Sequence, residues 1–257
     1  MTHPAMPTRA LQFPDGPPLG KLAPSGGSEP REAGSVGALI FDMDGTMIDS
    51  MPCHTKSWVE FTRRHGINID VDDLLRRTTG RTGAECMAEL FQRSFEPAQA
   101  AALIAEKEGI YRDLFGPDFR EVAGFKRFSE LAVAQGLKFG IGTAGDRHNI
   151  EFAFSHLKLT RKPDAVVGGD EGFAGKPNPD IFLEVARRLK VKPEHCIVFE
   201  DAPFGIEAAR RAGMQAVAIL SSHSVPELAG PHVLASVRNF DELIETKFLE
   251  KLHAVTA

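Results

Sequence analysis

The stretch that decides the fold is residues 37–50, GALIFDMDGTMIDS. Its residues 38–41 form an apolar run without polar alternation, which predicts a short strand buried on both faces. Asp42 and Asp44 follow directly, and Gly45 allows the backbone to turn sharply beyond them. Two carboxylates aimed at one point repel each other unless they share a cation or a proton, which favours a divalent metal with oxygen ligands. The alternative interpretation of this stretch alone is an exposed Asp-Gly turn.

Composition narrows the class of protein. The chain has 257 residues, with 42% hydrophobic and 25% charged content, which is typical of one large or two small globular domains. A net charge of -5 argues against nucleic acid or an anionic membrane as the main partner. The three cysteines form no CxxC pair, so neither a disulfide framework nor a zinc site is indicated. We therefore expect a cytoplasmic monomer or weak dimer, without a membrane span or secretory signal.

The pattern along the chain predicts three parts. Residues 1–36 are rich in Pro and Gly and aperiodic, which predicts a disordered extension; an arm docked through Leu11 and Phe13 is the alternative. Residues 52–118 show helical periodicity, including helices over 83–95 and 97–115, and no convincing strand. We interpret them as a helical cap inserted after the first strand, placed where it can act as a lid. Residues 37–51 and 119–257 form the core, in which helices alternate with strands, the signature of a parallel α/β sheet. One of these helices is predicted over 178–189, with Asn178 as its N-cap.

Two loops after predicted strands carry candidate phosphate ligands. The strand at 137–142 leads into Thr143, Ala144 and Gly145, where a hydroxyl and backbone N–H groups at a helix start can receive phosphate oxygens. A simple helix cap is the alternative interpretation. Lys176, in GKPNPD, lies in a loop where its ammonium can offset the charge of the paired aspartates. The alternative for this residue is a solvated surface lysine.

A second pair of acids follows another apolar run. Residues 196–199, CIVF, lead directly into Glu200 and Asp201. Adjacent carboxylates at a strand end oppose each other electrostatically unless a cation lies nearby. A surface acidic pair is the alternative, but the apolar character of the preceding strand argues against it.

These segments together resemble a known family. In chain order, FDMDGT, the strand ending in Thr143, GKPNPD and FEDAPFGIEAARRAGM are similar to the four motifs of the haloacid dehalogenase (HAD) superfamily. The resemblance covers about residues 37–222 and implies an α/β fold, with a Rossmann-like parallel sheet core and an inserted helical cap. One departure is Ala202, where relatives commonly carry Ser, and its methyl group is expected to loosen a hydrogen bond to the lysine loop.

The resemblance also implies a mechanism. Asp42 would attack phosphorus to form an aspartyl-phosphate, while Asp44 would protonate the leaving oxygen and then activate water. Mg²⁺ would be held by Asp42, the backbone carbonyl of Asp44 and Asp201, with Glu200 close by or acting through water. The implied metal site therefore comprises Asp42, Asp44, Glu200 and Asp201, and the implied phosphate ligands are Thr143, Ala144 and Lys176.

The acid at position 44 separates reactions within the superfamily. Dehalogenases and phosphonate hydrolases lack an acid there, so the resemblance favours a phosphatase or a phosphomutase. The segment DSMPCHTKSW, with His54 and Trp58, resembles the β-phosphoglucomutase-like branch, which includes small sugar-phosphate phosphatases. Its partner would be a small-molecule phosphate ester.

The cap supplies further candidates for substrate contacts. His54 and Arg81 are the main candidates, and Lys56, Trp58 and Arg147 are further ones. For each of them a core position or a solvated face is the alternative. In the loop TTGRTGAE, Gly83 falls where a mutase arginine is expected, which favours hydrolysis. We therefore predict a Mg²⁺-dependent phosphatase acting on a small phosphorylated metabolite, with a sugar phosphate as the expected substrate. A phosphomutase and a catalytically quiet metal-binding regulatory module stay open as alternatives.

Overall fold

The computed structural model describes residues 36–254. Its central feature is one sheet of six strands, β1 (Ala38–Phe41), β2 (Lys138–Gly142), β3 (Ala165–Val167), β4 (Cys196–Glu200), β5 (Gln215–Ile219) and β6 (Val233–Val237). The strands lie in the order β3-β2-β1-β4-β5-β6, and every neighbouring pair is parallel. This is the strand order of a doubly wound Rossmann-like sheet, so the predicted fold class is confirmed.

Helices connect the strands and cover both faces of the sheet. Between β1 and β2 lie α1 (Met51–Arg64), α2 (Val71–Thr78), α3 (Gly83–Phe91), α4 (Pro97–Phe115) and α5 (Phe125–Ala134). The later helices are α6 (Arg147–Leu157), α7 (Asp180–Leu189), α8 (Pro203–Arg211), α9 (Val225–Leu228), α10 (Phe240–Glu245) and α11 (Phe248–Ala254). The described residues contain no helix that is both long enough and apolar enough to cross a membrane.

Strand β1 is buried on both faces, as its apolar run predicts. Ala38 and Ile40 contribute to the core on one side of the sheet, while Leu39 and Phe41 contribute to the core on the other. Successive side chains of a strand point to opposite faces, so a strand covered by helices on both sides needs apolar residues at every position. The short sequence ALIF meets that requirement.

The registers of the central strands place their carboxyl ends side by side. Phe41 pairs with Ile141 of β2 and with Phe199 of β4. The rings of Phe41 and Phe199 stack with their centroids 4.6 Å apart, an arrangement that contributes about 0.5–1.5 kcal/mol beyond burial. The backbone N–H of Asp42 donates to the carbonyl of Phe199 at 3.0 Å. The residues that follow the three strands therefore meet at one edge of the sheet.

The predicted cap segment contains helices α1 to α4. They surround a hydrophobic cluster of their own, which includes Trp58, Phe61, Leu74, Met87 and Ile110. The division of the chain at residues 52–118 stays a prediction, and most of the predicted extension, residues 1–36, lies outside the described residues.

Two predicted helix boundaries are wrong. Helix α3 ends at Phe91, before the predicted residue 95, because Gln92 adopts a left-handed conformation with φ 53°. Helix α7 begins at Asp180 with Pro179 as its N-cap, because the Asn178 side chain donates to the carbonyl of Gly175 within the preceding loop. Local helix propensity predicts neither the left-handed conformation of Gln92 nor the hydrogen bond of Asn178.

Candidate active site

Eight of the nine predicted site residues line one cavity of about 110 Å³ at the carboxyl edge of the sheet. One wall is formed by helices α1 to α4 and the loop before α3, and the other by the ends of strands β1, β2 and β4 with the start of α6. The predicted residues in the cavity wall are Asp42, Asp44, His54, Arg81, Thr143, Ala144, Glu200 and Asp201. The ninth, Lys176, is buried and bonded to two of these acids.

Lys176 joins the two acidic strand ends. Its ammonium donates to Asp42 Oδ1 and, at 2.7 Å, to Glu200 Oε1. It also lies 4.7 Å from the centroid of the Phe182 ring. Burial opposes the charge on Lys176, but attraction to both carboxylates raises its pKa above the ordinary value, so this lysine stays a cation. The alternative interpretation of Lys176 as a solvated loop lysine is therefore wrong.

The surroundings of Asp42 and Asp201 disfavour the ionised form of both carboxyl groups. Burial raises the pKa of Asp42 well above its usual range, and the charges of Glu200 and Asp201 add to this effect against Lys176. Burial and the neighbouring Glu200 raise the pKa of Asp201 to about 8. Three buried carboxylates thus share one ammonium, and an added cation would relieve their repulsion.

Two hydroxyl groups hold the carboxylate of Asp201. Thr46 Oγ1 donates to Asp201 Oδ1 at 3.3 Å, and the Ser222 hydroxyl donates to Asp201 Oδ2. Ser222 lies in the loop after β5 and was not predicted as a site residue. The sequence gives only a weak indication that Ser222 belongs to the site, because it is one polar residue shortly after another apolar strand.

Asp44 lies at the junction of the sheet and the helices above it. Its Oδ1 accepts hydrogen bonds from Ser50 at 2.7 Å and from Tyr111 at 3.2 Å, and it lies 3.1 Å from His54 Nε2. The His54 and Tyr111 rings stack with centroids 3.9 Å apart. Burial opposes ionisation of Asp44, but His54, the Ser50 hydroxyl and Lys107 outweigh it and lower the pKa of this carboxyl.

A chain of polar contacts continues from His54 through helix α4. Lys107 Nζ lies 2.8 Å from His54 Nδ1 and 2.9 Å from Glu108 Oε1. Glu108 Oε2 accepts from the Asn149 side-chain amide at 2.7 Å, and Asn149 Oδ1 accepts from Arg112 at 2.7 Å. Sequence reasoning missed these residues because a helical period alone does not show which charged residue points inward. The one signal was spacing: Lys107 lies three and four residues before Ile110 and Tyr111, on the same side of the predicted helix as these apolar residues.

The Thr143 loop acts as a helix cap and as part of the cavity wall. Thr143 Oγ1 accepts from the backbone N–H of Gly145 at 3.0 Å, and Asp146 caps α6 by accepting from the N–H of Asn149 at 2.9 Å. The Thr143 side chain is buried, and Ala144 and Gly145 also line the cavity. The two interpretations of this loop are therefore compatible.

The remaining cap candidates divide into two groups. Trp58 is part of the hydrophobic cluster between helices α1 to α4 and also lines the cavity. Arg81 lines the cavity too, with one guanidinium nitrogen 3.7 Å from Glu89 Oε2. Lys56 and Arg147 are exposed and are not part of the cavity wall. The structure therefore supports neither of these two residues as a substrate contact.

The donor chemistry of the site fits a hard divalent cation. Within residues 36–254, no three His, Cys, Asp or Glu side chains converge as a ready-made metal site. Even so, Asp42, Glu200 and Asp201 are buried oxygen donors, and burial together with repulsion from the neighbouring acids raises the pKa of Asp42 and of Asp201. Carboxylate oxygens are the ligands that Mg²⁺ prefers, so these residues fit the predicted ion.

Comparisons with known proteins identify relatives of this chain. The chain is 37% identical over 182 residues to the fructose-1-phosphate phosphatase YqaB of Escherichia coli (strain K12), covering 70% of this chain and 94% of that protein. It is 34% identical over 195 residues to a validoxylamine A 7'-phosphate phosphatase of Streptomyces hygroscopicus subsp. limoneus, covering 76% of this chain and 91% of that one.

Solved structures lead to the same family. A HAD hydrolase, family IA, variant 3 from Entamoeba histolytica superimposes with a TM-score of 0.73 and 29% identity, covering 84% of this chain and 99% of that one. A β-phosphoglucomutase from Clostridium difficile gives a TM-score of 0.73 and 25% identity, with coverages of 85% and 98%. The family model for haloacid dehalogenase-like hydrolases matches residues 36–213. The acids at the ends of β1 and β4, bridged by a buried lysine, are thus set in a chain that belongs to the haloacid dehalogenase-like hydrolase family.

Proposed function

We propose that this protein is a Mg²⁺-dependent phosphatase that hydrolyses a small phosphorylated metabolite, a sugar phosphate, through an aspartyl-phosphate on Asp42. One observation carries the proposal: Asp42 lies in the cavity wall with its carboxylate held by the buried ammonium of Lys176, two residues before a second acid, Asp44. This grouping supports the roles of a nucleophile, a positive clamp and a proton carrier that act at one point.

The enzyme class has independent support. Family membership and the phosphatases among the relatives confirm the predicted class, a HAD-type phosphoric monoester hydrolase. Two similar proteins act, by their names, on fructose 1-phosphate and on validoxylamine A 7'-phosphate, both of which are phosphate esters. These names support a sugar-like phosphate as the substrate of this chain.

In the first step a carboxylate oxygen of Asp42 attacks phosphorus. The phosphorus–oxygen bond to the substrate alcohol breaks, and Asp44 donates a proton to the departing oxygen. Lys176 and the hydroxyl of Thr143 hold the phosphoryl oxygens, and Lys176 also keeps the Asp42 carboxylate oriented for attack. The products of this step are the free alcohol and phosphorylated Asp42.

The proton on Asp44 depends on the bound substrate. In the free protein His54, Ser50 and Lys107 lower the pKa of this carboxyl, so it is ionised at neutral pH. A phosphate dianion beside it raises the pKa, because like charges favour the neutral acid. The proton comes from the solvent or the substrate phosphate, and His54, 3.1 Å away, fixes the position of the Asp44 carboxyl group. We therefore assign His54 the role of a positioning partner for Asp44.

In the second step Asp44, now ionised, removes a proton from water. The water oxygen attacks phosphorus, the bond between phosphorus and Asp42 breaks, and inorganic phosphate is released with the Asp42 carboxylate restored. Mg²⁺, when held by Asp42, the backbone carbonyl of Asp44 and Asp201 with Glu200 nearby, would neutralise the phosphoryl oxygens and the surrounding carboxylates.

A phosphomutase is the second candidate, favoured by the similarity to β-phosphoglucomutase structures. The catalytically quiet regulatory module, the cytoplasmic location and the monomeric or weakly dimeric state stay predictions.

The direct test is phosphate release from fructose 1-phosphate and from an aryl phosphate, with Mg²⁺ and with excess chelator. We expect Mg²⁺-dependent release, and its loss in Asp42→Asn, which removes the nucleophile at nearly constant volume. Asp113→Asn, a change of the same chemistry at an exposed position on α4, is the matched control and should keep full activity. Release by Asp42→Asn above a mock-purified control would refute the assignment. No release by the unmodified protein would favour the quiet module.

A further inference from the structure

The cavity contains a carboxylate that the proposed reaction does not use. Glu108 lines the same cavity as Asp42, and its side chain is 15% exposed. It lies on α4, the cap side, whereas Asn149, its partner, lies on α6 of the core. Burial opposes ionisation of Glu108, but Lys107 and His54 overcome it and lower its pKa, so a negative charge is present there at neutral pH. A buried charge in a binding cavity selects among ligands.

Within the described cavity wall, each basic side chain already faces an acid. His54 lies 3.1 Å from Asp44, Arg81 lies 3.7 Å from Glu89, and Lys107 lies 2.9 Å from Glu108. The ammonium of Lys107 also lies over the Trp58 ring, 4.9 Å from its centroid. A second anionic group of a substrate would therefore meet compensated cations and the carboxylate of Glu108.

The same wall suits hydroxyl groups. A carboxylate has about four lone-pair sites, and Glu108 shares its two oxygens with one donor each, Lys107 and Asn149. A substrate hydroxyl can donate to the sites that remain. The cavity wall also contains the hydroxyl-bearing Thr78 and Thr79, beside an apolar surface that includes Leu75 and Met87.

We propose that Glu108 is a specificity-determining residue that selects substrates with an uncharged, hydroxyl-bearing body and rejects those with a second anionic group near the cap. This inference rests on the proposed function, because it names the substrate class of the same site. The selection is electrostatic: an anion placed near Glu108 in a partly buried cavity is repelled, whereas a hydroxyl donates to it.

The test uses two pairs of phosphate esters that differ mainly in charge. The first pair is glycerol 3-phosphate and 3-phosphoglycerate, in which a hydroxymethyl group is replaced by a carboxylate. The second is fructose 1-phosphate and fructose 1,6-bisphosphate. We expect kcat/KM to favour the singly anionic member of each pair by about 10-fold or more. In Glu108→Gln that preference should fall by about 10-fold, because Lys107 is left uncompensated and attracts the second anion.

Two further variants separate the effect of the Glu108 charge from an effect on the structure of the protein. Glu106→Gln removes a carboxylate from the same helix, but this residue pairs with His65 and Arg64 outside the cavity, so the preference should not change. In Glu108→Gln/Asn149→Asp the introduced amide can donate to the introduced carboxylate, which returns a negative charge to the cavity wall. This double variant should restore the preference to within about 3-fold of the unmodified protein. If Glu108 had a purely structural role, the double variant would not recover the ratio of kcat/KM between the two substrates of a pair.

The outcomes are distinguishable. Absence of phosphate release from all four esters would overturn the proposed function and this inference with it. Release with equal kcat/KM within both pairs, or an unchanged preference in Glu108→Gln, would overturn the inference alone. Melting temperatures of all variants show whether they fold. Should Glu108→Gln not fold, the two ratios in the unmodified protein decide the matter.

Discussion

The hydroxyl of Ser222 contacts both the side chain and the main chain of Asp201. It donates to the side-chain carboxylate, and its oxygen lies 3.1 Å from the main-chain carbonyl oxygen of the same residue. A hydrogen bond to a buried carboxylate stabilises the ionised form and limits its rotation. Ser222, in the loop after β5, therefore orients a residue that we assign to the Mg²⁺ site.

Ser222→Ala should weaken Mg²⁺ binding, because the ionised form of Asp201 loses a stabilising donor. We expect the Mg²⁺ concentration for half-maximal activity to rise about 10-fold. The increase in melting temperature on adding Mg²⁺ should shrink in parallel, and this readout does not depend on turnover. Ser222→Thr keeps the hydroxyl and should behave like the unmodified protein. Ser155→Ala, at an exposed position of α6, is the control. Unchanged Mg²⁺ dependence in Ser222→Ala would show that the contact has no influence on the metal site.

Gly45 allows the first loop to pass directly against Asp201. A β-carbon added at Gly45 would lie 2.2 Å from Asp201 Oδ2, and the residue has a φ of +77°. Gly45→Ala should therefore displace Asp201, lower the melting temperature and abolish activity. Gly172 has a φ of +87° with nothing within 4 Å of an added β-carbon, so Gly172→Ala measures the backbone cost alone. That cost is about 1–2 kcal/mol. Equal losses of stability and equal activities in the two variants would contradict the close contact.

Cys86 should resist alkylation in the native protein. Burial raises the pKa of its thiol to about 12, and the thiolate is the nucleophile that alkylating agents need. The native thiol should therefore react negligibly with iodoacetamide at neutral pH, and faster by about 10-fold for each unit of rising pH below that pKa. The denatured chain should react at the rate of an ordinary cysteine. Mass spectrometry of the peptide that contains Cys86 measures both rates, and rapid modification of the folded protein would contradict the burial.

The choice between hydrolysis and phosphoryl transfer depends on the cap. A mutase must hold the non-reacting phosphate of a bisphosphorylated intermediate, which requires a second anion clamp. Gly83 has no side chain, and a β-carbon there would lie 3.1 Å from Ile104 Cγ1, so this position has little room for a longer residue. Arg81 lines the cavity but faces Glu89. We therefore expect sugar monophosphates to release phosphate, and interconversion of the glucose 1- and 6-phosphates to be negligible.

A coupled assay decides this point. Glucose 6-phosphate formed from β-glucose 1-phosphate, with a bisphosphate primer, is compared with the inorganic phosphate released in the same reaction. An authentic β-phosphoglucomutase is the positive control. Isomer formation that exceeds phosphate release would identify Arg81 as the second clamp and the protein as a mutase.

Much of the site was predictable because its chemistry is local in sequence. Asp42 and Glu200 each follow an apolar run directly, Asp44 and Asp201 come within two residues of them, and strands of a parallel sheet end at one edge. The carboxylates therefore had to meet once the strands were identified. Lys176 was found through the loop GKPNPD, although its contacts with Asp42 and Glu200 lie 134 and 24 residues away along the chain.

By itself, the sequence determined the α/β sheet, the order of its acidic strand ends and the helical segment after β1, because periodicity and strand-end motifs depend on neighbouring residues. Only the tertiary structure decided which side chains of that segment face the cavity. It selected Lys107 and Glu108 on α4 and excluded Lys56 on α1 and Arg147 on α6. It also brought Ser222 to Asp201. The reason is physical: a charged residue becomes part of a site through the direction in which its helix packs and the partners it meets there, and those partners are distant in sequence.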